Sequence, residues 1–569
     1  MFKKIVLAIC MVVISASIVP VAGLLPFNAG NAEPSVQTNI QTMETTRQND
    51  VWPMFRYNSG NIGCSPFESP NTNHLAWKKT ITNPIYQSTP LLYGDNLYIS
   101  TNWNFKGLEK TIDPFSSELP SPEEFLENLL QHQNGTAPGL YCLEAETGTQ
   151  LWFKPFNAPN DAAIVDDKIY LTDFNYATYY SMLYCLDATT GDTLWQKSVS
   201  GLVLSPTIVA NEKIYLGCID LYSYAGSVLC YDISGNPLWN RPLSMYEWIL
   251  FSAPAVSGGN VYVLTTNIYS YFEGKLYGLD AQTGQIKWSR PVFSFGMWYF
   301  DSPSAVSEGT KVFVTDFNLN TYEGALKCYD GATGNPLWTC AIGSALSFVS
   351  PAVCGESVYI TASDLYSYTN WLYRINVTNG AYLWRVPISS ISFLGFGSLI
   401  CSADKVIIIS DAYYGYSNEV FCYERQDGVF NWKYTTSSYM LGDLSIGADR
   451  VYFADEAGNI YAIEDVLKIQ KVSGGILGVN ALIQNTGPTS LTDITWSITV
   501  YGGYFGRIDR TRSDTIGELQ AGASTTVRLL PVIGLGKVQI IVTATMPGIN
   551  TIRKIRDGLV IGSICILLE

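Results

Sequence analysis

One sequence unit recurs along most of this chain and ends each time on a tryptophan. Its first occurrence is LYCLEAETGTQLW, and six related segments follow. The closing tryptophans are 43 to 50 residues apart and comprise Trp152, Trp195, Trp239, Trp288, Trp338, Trp384 and Trp432. A regular period of this length is typical of a β-propeller in which each unit forms one four-stranded blade.

Each unit contains a pattern that predicts four strands, A to D. Strand A surrounds a Ser-Pro or Ala-Pro, strand B is an alternating run such as KIYLGC, strand C resembles LYCLD, and strand D ends on the tryptophan. An Asp-x-x-Thr-Gly segment separates C from D. We expect Asp187 and Asp280 to cap this turn, and Gly191 and Gly284 to supply its positive φ angle.

The two ends of the repeat region complement each other. The segment LSIGADRVYFADEAGNIYAIED follows Trp432 and provides strands A, B and C without a closing tryptophan. Trp77, in HLAWKKTI, precedes the first strand A and has no A, B or C of its own. We therefore predict an all-β fold: an eight-bladed propeller closed by this N-terminal strand, followed by a small β-sandwich. Closure removes the exposed edges of an open sheet.

Composition and charge divide the chain into segments. Lys3 and Lys4 precede an apolar run, which predicts a signal peptide over 1–22 with cleavage as late as 32. Residues 23–50 are polar and predict a disordered linker. The propeller is expected over 51–465, with an insertion at 104–139 in its first blade. Residues 466–569 alternate polar and apolar side chains and predict the β-sandwich.

The repeat units resemble the PQQ-like β-propeller family over residues 51–465. The segment WPMFRYNSGNIGCSP, from Trp52 to Pro66, resembles the N-terminal signature of its exported members. This resemblance implies the fold but not one function, because the family contains both enzymes and assembly scaffolds. The C-terminal segment resembles Ig-like or CARDB-like modules of surface proteins, which implies a spacer or contact role.

The resemblance also implies a cofactor test. The quinoprotein dehydrogenases of the family hold PQQ with an adjacent Cys-Cys disulfide and a calcium ion, beside a catalytic Asp, and many add a haem-binding motif. No two of the 12 cysteines here are adjacent, and His74 and His132 lie near no cysteine pair. We therefore predict no cofactor, with PQQ and calcium judged unlikely, and assign no catalytic, cofactor-binding or metal-binding residue.

Several cysteines and acids recur at equivalent positions of successive units. Cys142, Cys185, Cys230, Cys328 and Cys422 share one position on strand C, where we expect buried thiols too far apart to bridge. One or two disulfides elsewhere stay open. Acids after strand B occur once per blade, so we expect them to cap turns and not to bind calcium: Asp173, Asp220, Asp316, Asp364, Asp411 and Asp455.

The D-to-A and B-to-C connections of a propeller emerge on one face, and here both are rich in aromatic residues. Tyrosine and tryptophan offer large amphipathic contact areas and are enriched in binding hot spots. The candidate ligand-binding residues are Tyr222, Tyr224, Tyr246, Trp248, Tyr271, Trp298, Tyr299, Tyr368 and Tyr416. The alternative is that these rings only pack the connections together. The insertion lies on the same face, and its SPEEFLENLLQH segment predicts an amphipathic helix that packs on the rim or captures a partner.

These features favour one class of function. A net charge of -15 without a basic run excludes nucleic acid as a partner. We predict a monomeric, secreted or cell-surface scaffold without a membrane span after signal removal. It would bind a protein or polysaccharide partner through the aromatic face without catalysis. The alternatives are a quinoprotein-type oxidoreductase or polysaccharide-processing enzyme with an unrecognised site, and a scaffold in envelope assembly.

Overall fold

The described part of the chain is built almost entirely of β-strands. The computed structural model describes residues 52–568 except 86–87, 102–137, 176–177, 179, 250–251, 268–272, 294–305, 319–320, 348, 365, 368, 389–397, 411–417, 441, 448 and 548. The predicted signal peptide, the linker and the helix of the insertion lie outside these residues. Within them, no helix is long and apolar enough to cross a bilayer.

Eight antiparallel sheets, one for each repeat unit, occupy the described residues between 74 and 464. The first strand is β1 (His74–Thr80), and the first sheet contains β2 (Leu91–Tyr93), β3 (Asn96–Thr101), β4 (Gly139–Glu144) and β5 (Gln150–Pro155). The second sheet contains β6 (Ala163–Val165), β7 (Lys168–Asn175), β8 (Tyr180–Asp187) and β9 (Thr193–Val199). The third sheet contains β10 (Leu202–Val203), β11 (Ile208–Ala210), β12 (Lys213–Ile219), β13 (Ala225–Asp232) and β14 (Pro237–Met245).

The later sheets repeat this order. A short strand, β15 (Glu247–Trp248), precedes the fourth sheet, which contains β16 (Ala255–Ser257), β17 (Asn260–Leu264), β19 (Glu273–Asp280) and β20 (Ile286–Phe293), with β18 (Thr266–Asn267) between β17 and β19. The fifth and sixth sheets contain β21 (Val306–Glu308), β22 (Lys311–Asn318), β23 (Glu323–Asp330) and β24 (Pro336–Gly343); then β25 (Ala345–Leu346), β26 (Ala352–Cys354), β27 (Ser357–Asp364), β28 (Asn370–Asn376) and β29 (Tyr382–Ile388). The seventh contains β30 (Leu399–Cys401), β31 (Lys405–Ser410), β32 (Glu419–Glu424) and β33 (Phe430–Thr435), and the eighth β34 (Ser445–Gly447), β35 (Arg450–Ala454) and β36 (Asn459–Glu464).

Strand β1 completes the eighth sheet, as the position of Trp77 predicted. It pairs antiparallel with β36, and Trp77 lies opposite Ala462. The prediction that strand D ends on its tryptophan was wrong. In β5, Trp152 is the third of six residues, because the alternation continues past the indole.

Six of the seven closing tryptophans, together with Trp77, pack beneath the C-to-D turn of the next sheet. A Cβ atom built on Gly191 would lie only 2.9 Å from Trp152 Cε3, and one built on Gly284 would lie 2.5 Å from Trp239 Cε3. Both glycines have the predicted positive φ, 75° and 67°. The seven Trp–Gly pairs are Trp77–Gly148, Trp152–Gly191, Trp195–Gly235, Trp239–Gly284, Trp288–Gly334, Trp338–Gly380 and Trp384–Gly428. Glycine is therefore required at this turn for two reasons: the backbone has a positive φ, and the neighbouring indole leaves no room for a Cβ atom.

The N-terminal segment 52–65 crosses the inner strands of the ring. Its backbone forms hydrogen bonds with Leu92, Ile164, Val256, Ser307, Val353 and Cys401, which belong to the first, second, fourth, fifth, sixth and seventh sheets. Arg56 in this segment is 1% exposed and donates from Nη2 to the carbonyl of Pro351 at 2.7 Å. One short segment thus links six sheets through their innermost strands.

A disulfide joins this axial segment to the sixth sheet. It links Cys64 with Cys354, which are 290 positions apart in the sequence. Among the described residues nine other cysteines are free and buried, including Cys142, Cys185, Cys230, Cys328 and Cys422, as predicted. Burial raises the pKa of the Cys142 thiol to about 12, so this side chain behaves as a small apolar group.

Residues after the propeller form two sheets around one separate core. The first contains β37 (Leu467–Gly475), β38 (Gly478–Asn485) and β41 (Ser524–Leu529); the second contains β39 (Leu491–Gly502), β40 (Ile508–Leu519), β42 (Gly534–Met546), β43 (Ile549–Gly562) and β44 (Ile564–Leu568), with a 3₁₀ helix at Tyr504–Gly506. Ile483 of the first sheet and Trp496 and Ile540 of the second are buried in this core. An Ig-like relationship stays a prediction.

The Trp–Gly contact can be tested with a matched pair of substitutions. Gly284 and Gly309 both have positive φ, 67° and 61°, but nothing lies within 4 Å of a Cβ atom at Gly309. We expect Gly309→Ala to cost about 1–2 kcal/mol from the backbone alone. Gly284→Ala should cost about 1–3 kcal/mol more, because Trp239 must move. Thermal unfolding of both variants measures the difference, and equal melting temperatures would contradict the proposed packing.

Asp161, at the start of the second sheet, predicts a pH dependence of stability. Burial raises its pKa from 3.8 to about 7, although Thr89 donates to it from both its backbone N–H and its hydroxyl. The folded state therefore holds a proton that the unfolded state releases, and stability falls as pH rises from about 4 to about 7. We expect a smaller fall in melting temperature over this range for Asp161→Asn. The exposed Asp493→Asn serves as the control and should keep the wild-type slope.

Candidate binding face

The connections on the predicted aromatic face are joined by backbone hydrogen bonds. The D-to-A connection after the third sheet forms β15, which pairs antiparallel with β18 in the B-to-C connection of the fourth sheet. The Tyr246 N–H also donates to the carbonyl of Tyr224 at 2.8 Å. Three connections from two sheets therefore form one continuous surface.

Trp248 lies inside this surface and not on it. Its side chain is 0% exposed, and its indole N–H donates to the carbonyl of Tyr224 at 2.8 Å. The hypothesis that Trp248 contacts a ligand was wrong, because pairing of β15 with β18 turns the ring into the interior. For this residue the alternative, packing between connections, is correct.

Two turns of identical sequence present tyrosines to solvent. The pentapeptide Asp-Leu-Tyr-Ser-Tyr occurs at 220–224 in the third sheet and at 364–368 in the sixth. In each, the Asp Oδ1 accepts the N–H of the second following residue at 2.9 Å and of the third at 2.8 Å. Tyr222 is 88% exposed and Tyr366 is 76% exposed. The same capped turn therefore displays the same ring at two places on the face.

The aspartates of these turns are held in their charged form. The N–H groups of Ser223 and Tyr222 lower the pKa of Asp220 below its ordinary value. Burial acts to raise the pKa of Asp364, but the corresponding bonds from Ser367 and Tyr366 outweigh it, and the net shift is downward. Because these turns bond their own acids, they are preformed before a partner binds.

Two other candidates lie beside Tyr222. Tyr224 and Tyr246 are half-buried and adopt positive φ angles of 53° and 65°. Their backbones bond to each other, so they shape the surface and leave part of each ring accessible. The remaining candidates Tyr271, Trp298, Tyr299, Tyr368 and Tyr416 lie outside the described residues.

A recess lies between the sixth and seventh sheets, at the foot of the Tyr366 turn. Leu346, Ile388 and Ile408 supply apolar walls, and Ser363, Asn370 and Ser410 supply polar groups. Its volume is about 20 Å³, about enough for one water molecule, so the recess is too small to be a ligand pocket.

The acids that follow strand B act structurally, in two ways. Asp220, Asp364 and Asp455 cap their own turns, as predicted. Asp173 instead accepts the Ala158 N–H of the preceding D-to-A connection, and Asp316 accepts the N–H of Phe293, the last residue of β20. Asp411 lies outside the described residues. Among the described residues no group of three or more His, Cys, Asp or Glu side chains is arranged to hold a metal.

The quinone cofactor that the resemblance implies is held beside an adjacent cysteine pair. The sequence lacks the adjacent cysteine pair. Asp443, at the start of the eighth sheet, has its pKa raised by burial, and Arg56 of the axial segment opposes this shift. A guanidinium therefore occupies the neighbourhood of this carboxylate, and we derive no chemical step through a quinone or calcium.

Sequence reasoning proposed the face but missed two of its features. The duplicated pentapeptide was visible in the sequence and would have selected Tyr222 and Tyr366 over Trp248. The burial of Trp248 depends on strands of only two residues, β15 and β18, whose pairing no local pattern indicates.

Comparison with known proteins places these features in a family. The family described as outer membrane protein assembly factor BamB matches residues 139–385, 298–411 and 368–468. The assembly factor BamB of Burkholderia pseudomallei is 24% identical over 238 residues, which cover 41% of this chain and 56% of that protein. Tetrathionate hydrolase of Acidithiobacillus ferrooxidans is 23% identical over 237 residues, covering 38% of this chain and 43% of that protein.

Solved structures were compared as well. The crystal structure of BamB from Moraxella catarrhalis aligns with a TM-score of 0.46 and 14% identity, over 69% of this chain and 100% of that one. The present chain spans about half the length of the curated relatives that it matches. Because the matched segments together cover more than half of the chain, the protein belongs to the PQQ-like repeat family described as outer membrane protein assembly factor BamB.

Proposed function

We propose that this protein is an exported, noncatalytic scaffold that binds a protein partner through the face carrying Tyr222 and Tyr366. The observation that carries the proposal is the duplicated Asp-capped turn, which holds both rings 76% or more exposed. Large rings on preformed turns lose little conformational entropy on binding, and tyrosine is a frequent hot-spot residue.

The family match favours a polypeptide as the partner. The family and one curated relative carry the name of a protein assembly factor. Polysaccharides are the other ligand class that exposed tyrosines can stack against.

Export is consistent with the cysteine chemistry. The disulfide between Cys64 and Cys354 requires an oxidising compartment to persist. Lys3, Lys4 and the apolar run after them supply the expected signal. The nine buried thiols need no pairing, because burial protects them.

The proposal predicts which side chains a partner contacts. A photo-crosslinking amino acid at position 222 or 366 should capture one protein species from an envelope extract of the source cells. With that species purified, we expect Tyr222→Ala and Tyr366→Ala each to weaken binding about tenfold, with a larger loss in the double variant. Calorimetry measures the affinities. Phe430→Ala is the matched control, since Phe430 is 50% exposed on an outer strand of the seventh sheet.

Other ligands provide the contrary outcomes. Envelope polysaccharides and PQQ with calcium would be titrated into the same wild-type protein. Micromolar binding of PQQ would contradict the noncatalytic proposal and favour the oxidoreductase alternative. Polysaccharide binding that the tyrosine variants abolish would show that the partner is a carbohydrate and not a protein. A crosslinking amino acid placed at position 430 as a control should capture less than one at position 222, and equal capture would contradict binding through this face.

A further inference from the structure

The C-terminal domain ends in a cluster of exposed apolar side chains, here called the apolar tip. Its most exposed members are Phe505 at 93%, Ile476 at 79%, Tyr504 at 63%, Ile533 at 62%, Leu535 at 54% and Ile564 at 46%. Single exposed apolar residues are common on soluble proteins, but a contiguous group marks a contact surface. We propose that the apolar tip docks this protein on an anionic lipid bilayer.

Four connections meet at the apolar tip. The Leu477 N–H donates to the carbonyl of Ser563 at 2.6 Å, and the Val532 N–H donates to the carbonyl of Leu477 at 2.7 Å. The Gly503 N–H donates to the carbonyl of Lys537 at 2.6 Å, which fixes the Tyr504–Gly506 turn against the start of β42. These bonds make one surface of side chains that are scattered over the sequence from 476 to 564.

The apolar tip lies at the end of the domain remote from the propeller. Strand β37 begins at Leu467, directly after the last propeller sheet, and ends at Gly475 beside the tip. Nine extended residues at about 3.3 Å each place the tip roughly 26 Å beyond the junction. It can therefore reach a surface without contact from the ring.

The backbone at the apolar tip holds bulky side chains in an unfavourable conformation. Leu477 and Phe505 have φ angles of 76° and 59°, in the left-handed region that normally favours glycine or asparagine. Residues held in this way cluster at functional sites. Here the conformation directs the Leu477 and Phe505 side chains outward at two turns instead of burying them.

Charge complementarity selects an anionic surface as the occupant. Arg507 and Lys537 are exposed beside the tip, and the Arg507 guanidinium lies 5.9 Å from the Phe505 ring centroid. Residues 466–569 contain ten Lys and Arg against six Asp and Glu, whereas the rest of the chain contains 24 against 43. Apolar and aromatic groups flanked by cations match the boundary between acyl chains and negative headgroups.

Shape favours lipid over a second protein. The tip is formed by turn apices, so it projects, and a fluid bilayer can close around a projecting group without a preformed pocket. Asp509 is the acidic residue nearest in sequence to the Tyr504–Gly506 turn. It pairs with Tyr501, one step further from the turn than the pair of Gly502 with Ile508. The apex itself therefore presents apolar groups and cations.

The test uses the full purified chain and vesicles of phosphatidylcholine with or without 30% phosphatidylglycerol, a composition chosen for its negative charge. We expect co-sedimentation with the anionic vesicles that weakens as salt rises. Phe505→Asn combined with Ile533→Ser should reduce partitioning roughly ten- to hundredfold, from the lost apolar contact. Arg507→Gln with Lys537→Gln should reduce it on anionic vesicles by at least about fivefold.

Two controls separate docking from misfolding. Asparagine tolerates the φ of position 505, so Phe505→Asn should keep the wild-type melting temperature. Val429→Ser removes an apolar group that is 57% exposed on the seventh sheet and should bind like wild type. A solvatochromic label on Ile533→Cys should shift to the blue on vesicles, and the same label on Val429→Cys should not; the free cysteines in the described residues are buried, so labelling is selective.

The contrary results are equally specific. Wild-type protein that stays in the supernatant with anionic vesicles at low salt, or a Phe505→Asn/Ile533→Ser variant that binds as well as wild type, overturns the proposal. So does a dimer in sedimentation velocity that this variant abolishes, since the tip would then be an interface between two copies.

Discussion

The contact between a strand D tryptophan and the turn glycine of the next sheet, made seven times in the described residues, is the interaction on which the ring depends. A single four-stranded sheet has two apolar faces, and it can bury both only by stacking on neighbours. The indole packs against the next sheet at its C-to-D turn. In most cases the indole N–H also donates to a backbone carbonyl of that turn, as Trp288 does to Gly331 at 2.9 Å. Trp432 has no following C-to-D turn, and its indole N–H donates instead to the carbonyl of Pro70 at 2.8 Å, in the segment that precedes β1.

This contact also explains how much the sequence could predict. The Gly-x-x-x-Trp spacing encodes both partners of the contact, so the sheets and the pairing of the Trp77 strand were readable from local pattern. The axial course of residues 52–65 was not, because hydrogen bonds to six separate inner strands leave no periodic signal. Nor was the Cys64–Cys354 disulfide, whose partners are 290 residues apart and belong to no shared repeat position.

The candidate face shows the same division. Its location followed from propeller topology, and its tyrosines from composition. Whether a given ring points outward depended on short-range bonding: Asp220 and Asp364 hold Tyr222 and Tyr366 outward, while the pairing of β15 with β18 turns Trp248 inward. The abundance of tyrosine and tryptophan therefore suggested the candidate face, whereas the hydrogen bonding of each turn decides which of these rings is exposed.

The closing strand has a consequence for the order of folding. Because β1 pairs with β36, residues near position 77 must wait for residues near position 462 before they find their partner. Synthesis proceeds from the N-terminus, so about 385 residues separate Trp77 from its partner Ala462, and the ring stays open until the later strand has been made. The cell therefore has to protect this intermediate, and a chain interrupted anywhere in the repeats would present unpaired strands at both ends to the surrounding proteins.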